Sequence, residues 1–387
     1  MKKLNALLIK PAGPDCNLNC TYCFYLDKAS LFDSGKHRMS EETLEMMIRQ
    51  VMSQSENEIS LAWQGGEPTL MGLPFFKKAI EFEIKYGQGK TVGNGLQTNG
   101  LLLTPAWADF LKEYDFLVGI SLDGPRHIHD HYRKTPNGKG SWDVVSRNAN
   151  MLVKKGVQVN AMTTITDYSA DFAKEIYDFH KSMGLNFMQF IPIVETDIEN
   201  PEMAAKYSVS GEKYGKFLCQ IFDLWMDDYA KGINTTSVRH IESVFFRYVG
   251  MEAPECPLKR ECGVYLVVEH NGDIFPCDFF VRPELKLGNI HQNQLNEMLN
   301  SEGMKSFGML KTKLPDDCIT CKWKPFCYGG CTKDRVRDQR DAGNNHFCKS
   351  YKMFLQHADP FLKVMAVDYH RQQSHENKTY DASGFFS

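Results

Sequence analysis

Six short, apolar, β-rich runs recur through the first 235 residues: LNALLIK (4–10), EISLAWQ (58–64), TVGNGLQ (91–97), FLVGISL (116–122), VQVNAMTTI (157–165) and NFMQFIPIV (186–194). The stretches between them suit amphipathic helices. SEETLEMMIRQVMSQ opens with Ser40 as N-cap and with Glu41 and Glu42 in the first turn, where carboxylates favour the helix dipole. TPAWADFLKEY opens with Thr104 as cap and Pro105 at the first helical position. Buried strands alternating with helices specify a parallel sheet, because a crossover helix returns the chain to begin a parallel neighbour. The expected fold is α/β, a partial (β/α)6 TIM-like barrel over residues 1–235. A cysteine-rich domain is expected over 236–365 and a polar tail over 366–387.

The 12 cysteines are not scattered along the chain. Cys16, Cys20 and Cys23 stand together in CNLNCTYC. Cys256, Cys262, Cys277, Cys318, Cys321, Cys327, Cys331 and Cys348 lie in the C-terminal third, and Cys219 stands alone, read as a core residue at helical spacing with aromatics. Lys plus Arg number 45 against 48 for Asp plus Glu, so the charge balance suggests no nucleic-acid or membrane surface. The apolar stretch in MKKLNALLIKPAG is broken by Asn5 and stopped by Lys10, too short for a signal-peptide core. No run approaches the roughly 18 apolar residues of a membrane span. The expected location is the cytoplasm, where cysteines serve as ligands or catalysts rather than disulfides.

Three thiolates leave a tetrahedral structural zinc site open, whereas an iron–sulfur cube can use an open corner for a small molecule. The eight C-terminal cysteines suffice for two closed four-thiolate sites, with zinc the competing occupant for CITCKWKPFC. The informative residues follow strands: CNLNCTYC after the first, GGEPTL after the second, TNG after the third, SLDGP at the fourth. In β/α barrels the loops at the carboxyl ends of strands build the site, so these motifs converge on one rim.

CxxxCxxC with Tyr22 just before its last cysteine, and GGEP at Gly65 to Pro68, resembles the radical S-adenosylmethionine (SAM) enzymes. The arrangement from Cys262 through Gly272 to Cys277, then Cys318, Cys321, Cys327, Cys331 and Cys348, resembles the SPASM extension. CTYCFY, WQGGEPTL, QTNG and PCDFF closely resemble the anaerobic sulfatase-maturating enzymes, a likeness that spans nearly the whole chain.

The resemblance implies SAM and three 4Fe–4S clusters as cofactors. Cys16, Cys20 and Cys23 would hold a cluster whose free iron is chelated by SAM's amino and carboxylate groups, a position that a fourth protein thiolate would block. Reductive cleavage of SAM there would release a 5′-deoxyadenosyl radical. Cys256, Cys262, Cys277 and Cys331 would hold a first auxiliary cluster, and Cys318, Cys321, Cys327 and Cys348 a second, both serving as electron acceptors. Tyr22, Gly65, Gly66, Glu67, Ser121, Arg133 and Val194 fall where the family contacts SAM; Gly65 and Gly66 also suit a tight turn, and Val194 also suits the core. Asp278, held in place by its neighbour Cys277, is implied as the base that takes a proton from the substrate thiol or hydroxyl. Tyr25 and Gln64 would position Asp278 or the substrate, or only line the site.

The implied activity is oxidation of a sulfatase Cys or Ser to Cα-formylglycine in an unfolded segment of the C/S-x-P-x-R kind. An electron donor such as flavodoxin or ferredoxin is expected, with no nucleic-acid or membrane partner. Two other readings share parts of the pattern: a SPASM peptide modifier that makes thioether or carbon–carbon crosslinks, and a non-catalytic iron–sulfur or zinc protein that senses redox state or binds a partner. His127, His129 and His131 in RHIHDHYR are expected in a polar loop, and residues 196–212 in a loop before the next helix.

Overall fold

The computed structural model describes residues 1–233 and 235–383. Its strands β1 (Ala6–Lys10), β2 (Glu58–Trp63), β3 (Thr91–Thr98), β4 (Leu117–Ser121), β5 (Gln158–Ile165) and β6 (Phe187–Pro192) are neighbours in chain order, all parallel. They are the apolar runs with their ends trimmed, except β3, which runs one residue further to Thr98. A two-residue β7 (Ser237–Val238) joins β6, also parallel.

The helices begin where the caps predict. Ser40 Oγ accepts from Thr43 N at 3.1 Å and starts α1 (Glu41–Gln54). The α2 helix (Leu73–Tyr86) follows β2, and Thr104 caps α3 (Pro105–Glu113). Between these helices and the sheet lies the first core, where Phe76 meets Trp63 and Trp107 edge-on at centroid distances of 5.5 and 5.2 Å.

RHIHDHYR departs from expectation: it is a helix, α4 (Arg126–Tyr132), not a loop. Helical geometry turns its alternate histidines to different surroundings. His129 is wholly buried, its ring bonded to Ser141 Oγ at 2.9 Å and to the N–H of Asp123 at 3.3 Å. Burial lowers its pKa to about 3, so it stays neutral and accepts from Asp123. His131 stacks on Tyr168.

Helices α5 (Trp142–Lys154), α6 (Ala173–Ser182) and α7 (Gly211–Ala230) complete the outer layer. Residues 196–209 form the expected connection, and Ser210 caps α7. Cys219 on α7 is half-buried rather than a core residue, and burial raises its thiol pKa to about 11.

The C-terminal segment extends the same sheet. Strand β8 (Leu266–Glu269) runs parallel to β1, with Lys10 opposite Glu269, and β9 (Asp273–Phe275) and β10 (Gly288–Asn289) follow antiparallel. One ten-stranded sheet results, in the order β10-β9-β8-β1-β2-β3-β4-β5-β6-β7. The helix Cys348–Ser383 lies along α7 and completes a second core, in which Phe354, Ala358 and Leu362 pack with Phe217, Ile221 and Phe222.

Within the segment expected as a polar tail, 366–387, the chain is helical as far as Ser383, and residues 384–387 lie outside those described. A stripe with a four-residue repeat, Phe354, Ala358, Leu362 and Ala366, gives this helix its buried face, which ends at Ala366 among residues 366–373. Phe354→Ala is expected to cost about 3–5 kcal/mol by leaving a cavity between the two helices. Urea unfolding of the whole chain measures it.

Candidate active site and cluster-binding thiols

After β1 the chain turns at Gly13 into the segment that carries the first three cysteines, and the GGEP loop after β2 lies on that segment. Gly66 N donates to Gly13 O at 2.9 Å and Glu67 N to Asp15 O at 2.8 Å. A Cβ on Gly66 would stand 2.1 Å from Asp15 O, and Gly65 has φ +119°. Both glycines are thus required by backbone meeting backbone, before any ligand is considered.

Glu67 is wholly buried beneath this contact. Its Oε1 accepts from Thr69 N at 2.9 Å and Thr98 Oγ1 at 2.8 Å, and its Oε2 from Asn99 N at 2.8 Å. The carboxylate is thereby engaged in tying the β2 loop to the β3 loop. Burial pushes its pKa up, against the donors that favour the charged form. Asn99, in the TNG motif, also donates from Nδ2 to Asn17 Oδ1 at 2.7 Å and to Cys16 Sγ at 3.6 Å.

The opposite wall is organised by Asp123 of SLDGP, which the sequence reading did not single out. It accepts from Tyr22 Oη at 2.9 Å, from Arg133 Nε at 2.7 Å and Nη2 at 3.1 Å, and from Thr164 N at 2.8 Å. Burial acts to raise the Asp123 pKa, yet the Arg133 guanidinium holds it below the usual carboxylate range. Arg133 also faces Cys20, whose thiol burial raises to about 11. Ser121 Oγ accepts from Gln97 Nε2 at 3.0 Å. Val194 is wholly buried and packs in the second core. Cys16, Cys20 and Cys23 sit in an apolar cluster with Leu18, Tyr22 and Ile193.

Across the rim lies a cluster of polar groups around Asp278. Gln64 Nε2 donates to Asp278 Oδ2 at 3.2 Å, and Lys10 Nζ forms an ion pair with Oδ1. Lys10 is 1% exposed, and its ammonium lies 3.5 Å from the centroid of the Tyr25 ring. The Tyr25 hydroxyl donates to Glu269, which is wholly buried. Sheet register explains the gathering. Lys10 ends β1, Gln64 follows β2 on one side, and Glu269 ends β8 on the other. The sequence reading missed Lys10 and Glu269; the available signal was a charged residue closing an otherwise apolar strand, as in LNALLIK and LVVE.

The eight C-terminal thiols separate into two sets. Cys256, Cys262, Cys277 and Cys331 line one cavity, whereas Cys318, Cys321, Cys327 and Cys348 line another. The thiols also face one another within those sets: Cys277 interacts with Cys256 and Cys262, and Cys327 with Cys318, Cys348 and Cys321. Each set surrounds a space instead of meeting at a point. Among the described residues no group of three His, Cys, Asp or Glu side chains is placed to hold a single metal ion. This arrangement fits a cluster and does not fit one zinc ion. Burial raises the Cys16 and Cys277 thiols to about 12 and the Cys256 and Cys327 thiols to about 11. Such thiols ionise only against added positive charge, which iron supplies.

Comparison with known proteins agrees with this geometry. Residues 11–179 match the Radical SAM superfamily model, and residues 256–322 match the SPASM model of an iron–sulfur cluster-binding domain. The chain is 38% identical to a serine-type anaerobic sulfatase-maturating enzyme of Bacteroides thetaiotaomicron, covering 96% of this chain and 93% of that protein. It is 36% identical to a cysteine-type anaerobic sulfatase-maturating enzyme of Clostridium perfringens, covering 92% and 97%. The structure of native anSMEcpe with bound AdoMet and Cp18Cys peptide superimposes with a TM-score of 0.86 at 34% identity, covering 94% of this chain and 99% of that one.

Gly66→Ala is expected to push the GGEP loop off Asp15 and deform the segment bearing Cys16. Iron bound by the anaerobically reconstituted protein then falls by about a third, with the eight C-terminal thiols still loaded. Iron analysis with thiol titration tests this outcome.

Proposed function

The chain belongs to the anaerobic sulfatase-maturating enzymes, a SPASM-bearing branch of the radical SAM superfamily, and on that footing we propose that it oxidises a Cys or Ser of a sulfatase polypeptide to Cα-formylglycine. The observation that carries this reading is the incomplete thiol set facing an oriented carboxylate across one barrel rim. When bound, SAM on the three-thiolate 4Fe–4S cluster supplies the hydrogen-abstracting radical, and the two closed clusters accept the remaining electron.

Cys16, Cys20 and Cys23 hold the SAM-binding cluster. Backbone at Gly65 and Gly66 takes SAM's amino group, and Tyr22 and Ser121 line its pocket, while Arg133 braces that wall through Asp123. Loss of one hydrogen atom, one electron and one proton takes a serine side chain to the aldehyde and a cysteine side chain to a thioaldehyde, which water then converts to the aldehyde with release of hydrogen sulfide. Asp278 takes the proton at Oδ2, the oxygen that Gln64 orients. Lys10 pairs with the other carboxylate oxygen, Oδ1, so that the two contacts together fix how Asp278 presents Oδ2 to the substrate. Tyr25, fixed by Glu269, supplies the platform under Lys10 and sets where its ammonium points.

The substrate is an unfolded segment of the C/S-x-P-x-R kind, since a folded sulfatase does not present its own core to this rim. The electron donor is a small redox protein of the flavodoxin or ferredoxin type, and the compartment is the cytoplasm. Among the described residues no helix is long and apolar enough to cross a membrane, and the formal net charge is −3.

Anaerobic incubation with SAM, reductant and paired Cys and Ser peptides, read by mass spectrometry, tests the function. The expected products are the peptide aldehyde and 5′-deoxyadenosine in equal amount. Intact SAM under strong reduction overturns the reading. Asp278→Asn is expected to retain 5′-deoxyadenosine formation while aldehyde formation falls about 100-fold or more. Lys10→Met is expected to lower aldehyde formation about tenfold with SAM cleavage unchanged; wild-type aldehyde yields in both variants remove this pair from the mechanism.

A further inference from the structure

Two buried cations lie between the C-terminal thiol sets and take no part in the steps above. Lys311 is wholly buried at the end of the helix Glu302–Leu310, and its Nζ donates to the carbonyls of Cys256 and Pro257, each at 2.8 Å. Arg335 is 7% exposed and donates from Nη1 to Lys311 O at 3.0 Å and Lys313 O at 3.1 Å. Its Nε donates to Gly329 O and its Nη2 to Tyr328 O, both at 3.1 Å. The two side chains thus form one connected path. It runs from the backbone of Cys256, in one set, to the loop that joins Cys327 of the other set to Cys331.

That loop is the shortest covalent link between the sets. Tyr328, Gly329 and Gly330 follow one another with φ of +43°, +75° and +66°. The two glycines take this conformation freely, whereas Tyr328 is strained there and needs external support. Arg335 provides it at the Tyr328 and Gly329 carbonyls, and a Cβ on Gly329 would stand 2.5 Å from Arg335 Nη2.

Carbonyls satisfy these donors but do not neutralise their charge. Among the described residues, neither Lys311 nor Arg335 is paired with a carboxylate. A buried cation normally requires an anion close by. Lys311 lines the cavity of Cys256, Cys262, Cys277 and Cys331, and Arg335 lies within electrostatic reach of Cys318, Cys262, Cys331 and Cys327, drawn from both sets. Burial lowers the pKa of both cations, and the thiolates around them oppose that shift. A four-thiolate 4Fe–4S cluster is anionic and gains one further negative charge when it takes an electron. A fixed cation in a low-dielectric surrounding favours that reduced form.

We propose that Arg335 and Lys311 form a cationic bridge between the two auxiliary sites, which fixes their separation and raises the reduction potentials of the clusters they hold. The bridge rests on the cluster reading given above. It is tested by redox titration of the anaerobically reconstituted full-length enzyme, followed by electron paramagnetic resonance, with iron analysis of every variant.

Arg335→Gln is expected to lower both auxiliary potentials at least tenfold in reduction equilibrium, about 59 mV for a one-electron couple. Arg335→Lys keeps the charge and is expected to keep most of both potentials. Lys311→Met is expected to lower one auxiliary potential and leave the other. Equal falls in Arg335→Lys and Arg335→Gln would mean the fork geometry matters and the charge does not, overturning the electrostatic half. Unshifted potentials in iron-loaded Arg335→Gln overturn the bridge, and if that variant fails to load iron, unshifted potentials in Lys311→Met do so. Wild-type protein that binds no iron at these eight thiols overturns the cluster reading along with the bridge.

Discussion

Strand β1 is hydrogen-bonded on both sides, to β2 and to β8, and the site depends on that double pairing. It is one of the first strands of the barrel and also the edge onto which the C-terminal segment docks. Its last residue, Lys10, is thereby set between Gln64 and Glu269, with Asp278 above it. The turn after it delivers Cys16, Cys20 and Cys23 to the rim. If β8 paired elsewhere, Asp278 and the three N-terminal thiols, for which we propose proton acceptance and SAM binding, would belong to separate surfaces.

Buried charge is the second organising device, and it recurs in three places. Lys10 faces Asp278, Arg133 faces Asp123, and Arg335 with Lys311 faces cysteines. In each case the charge lies where water is scarce, so the partner's position matters far more than at a solvated surface. Such pairs are costly to assemble and weak evidence for stability. Their placement around the thiols and the base points to orientation and potential as the reason they are present.

The glycines of GGEP show how a motif can be recognised for one reason and required for another. Their link to SAM comes through family resemblance, whereas the contact in the fold is with the backbone of Asp15. Glu67 beside them holds the β3 loop by accepting from Thr98 and Asn99. The motif is therefore a brace between three rim loops.

By itself the sequence determined the six barrel strands, two helix caps and the grouping of the cysteines, because strand burial, capping and thiol spacing are local patterns. It also pointed to Asp278, through the cysteine beside it. The tertiary structure decided what depends on distant segments meeting. Lys10, Glu269, Asp123 and Asn99 acquire roles only from neighbours far along the chain, and no periodicity announces such pairings. The division of the eight thiols was implied by resemblance, but it takes the folded chain to set Cys256 and Cys331 around one cavity. The same holds for the terminal helix: its polar composition hid the spaced apolar stripe, which becomes a buried face only when α7 is present to cover it.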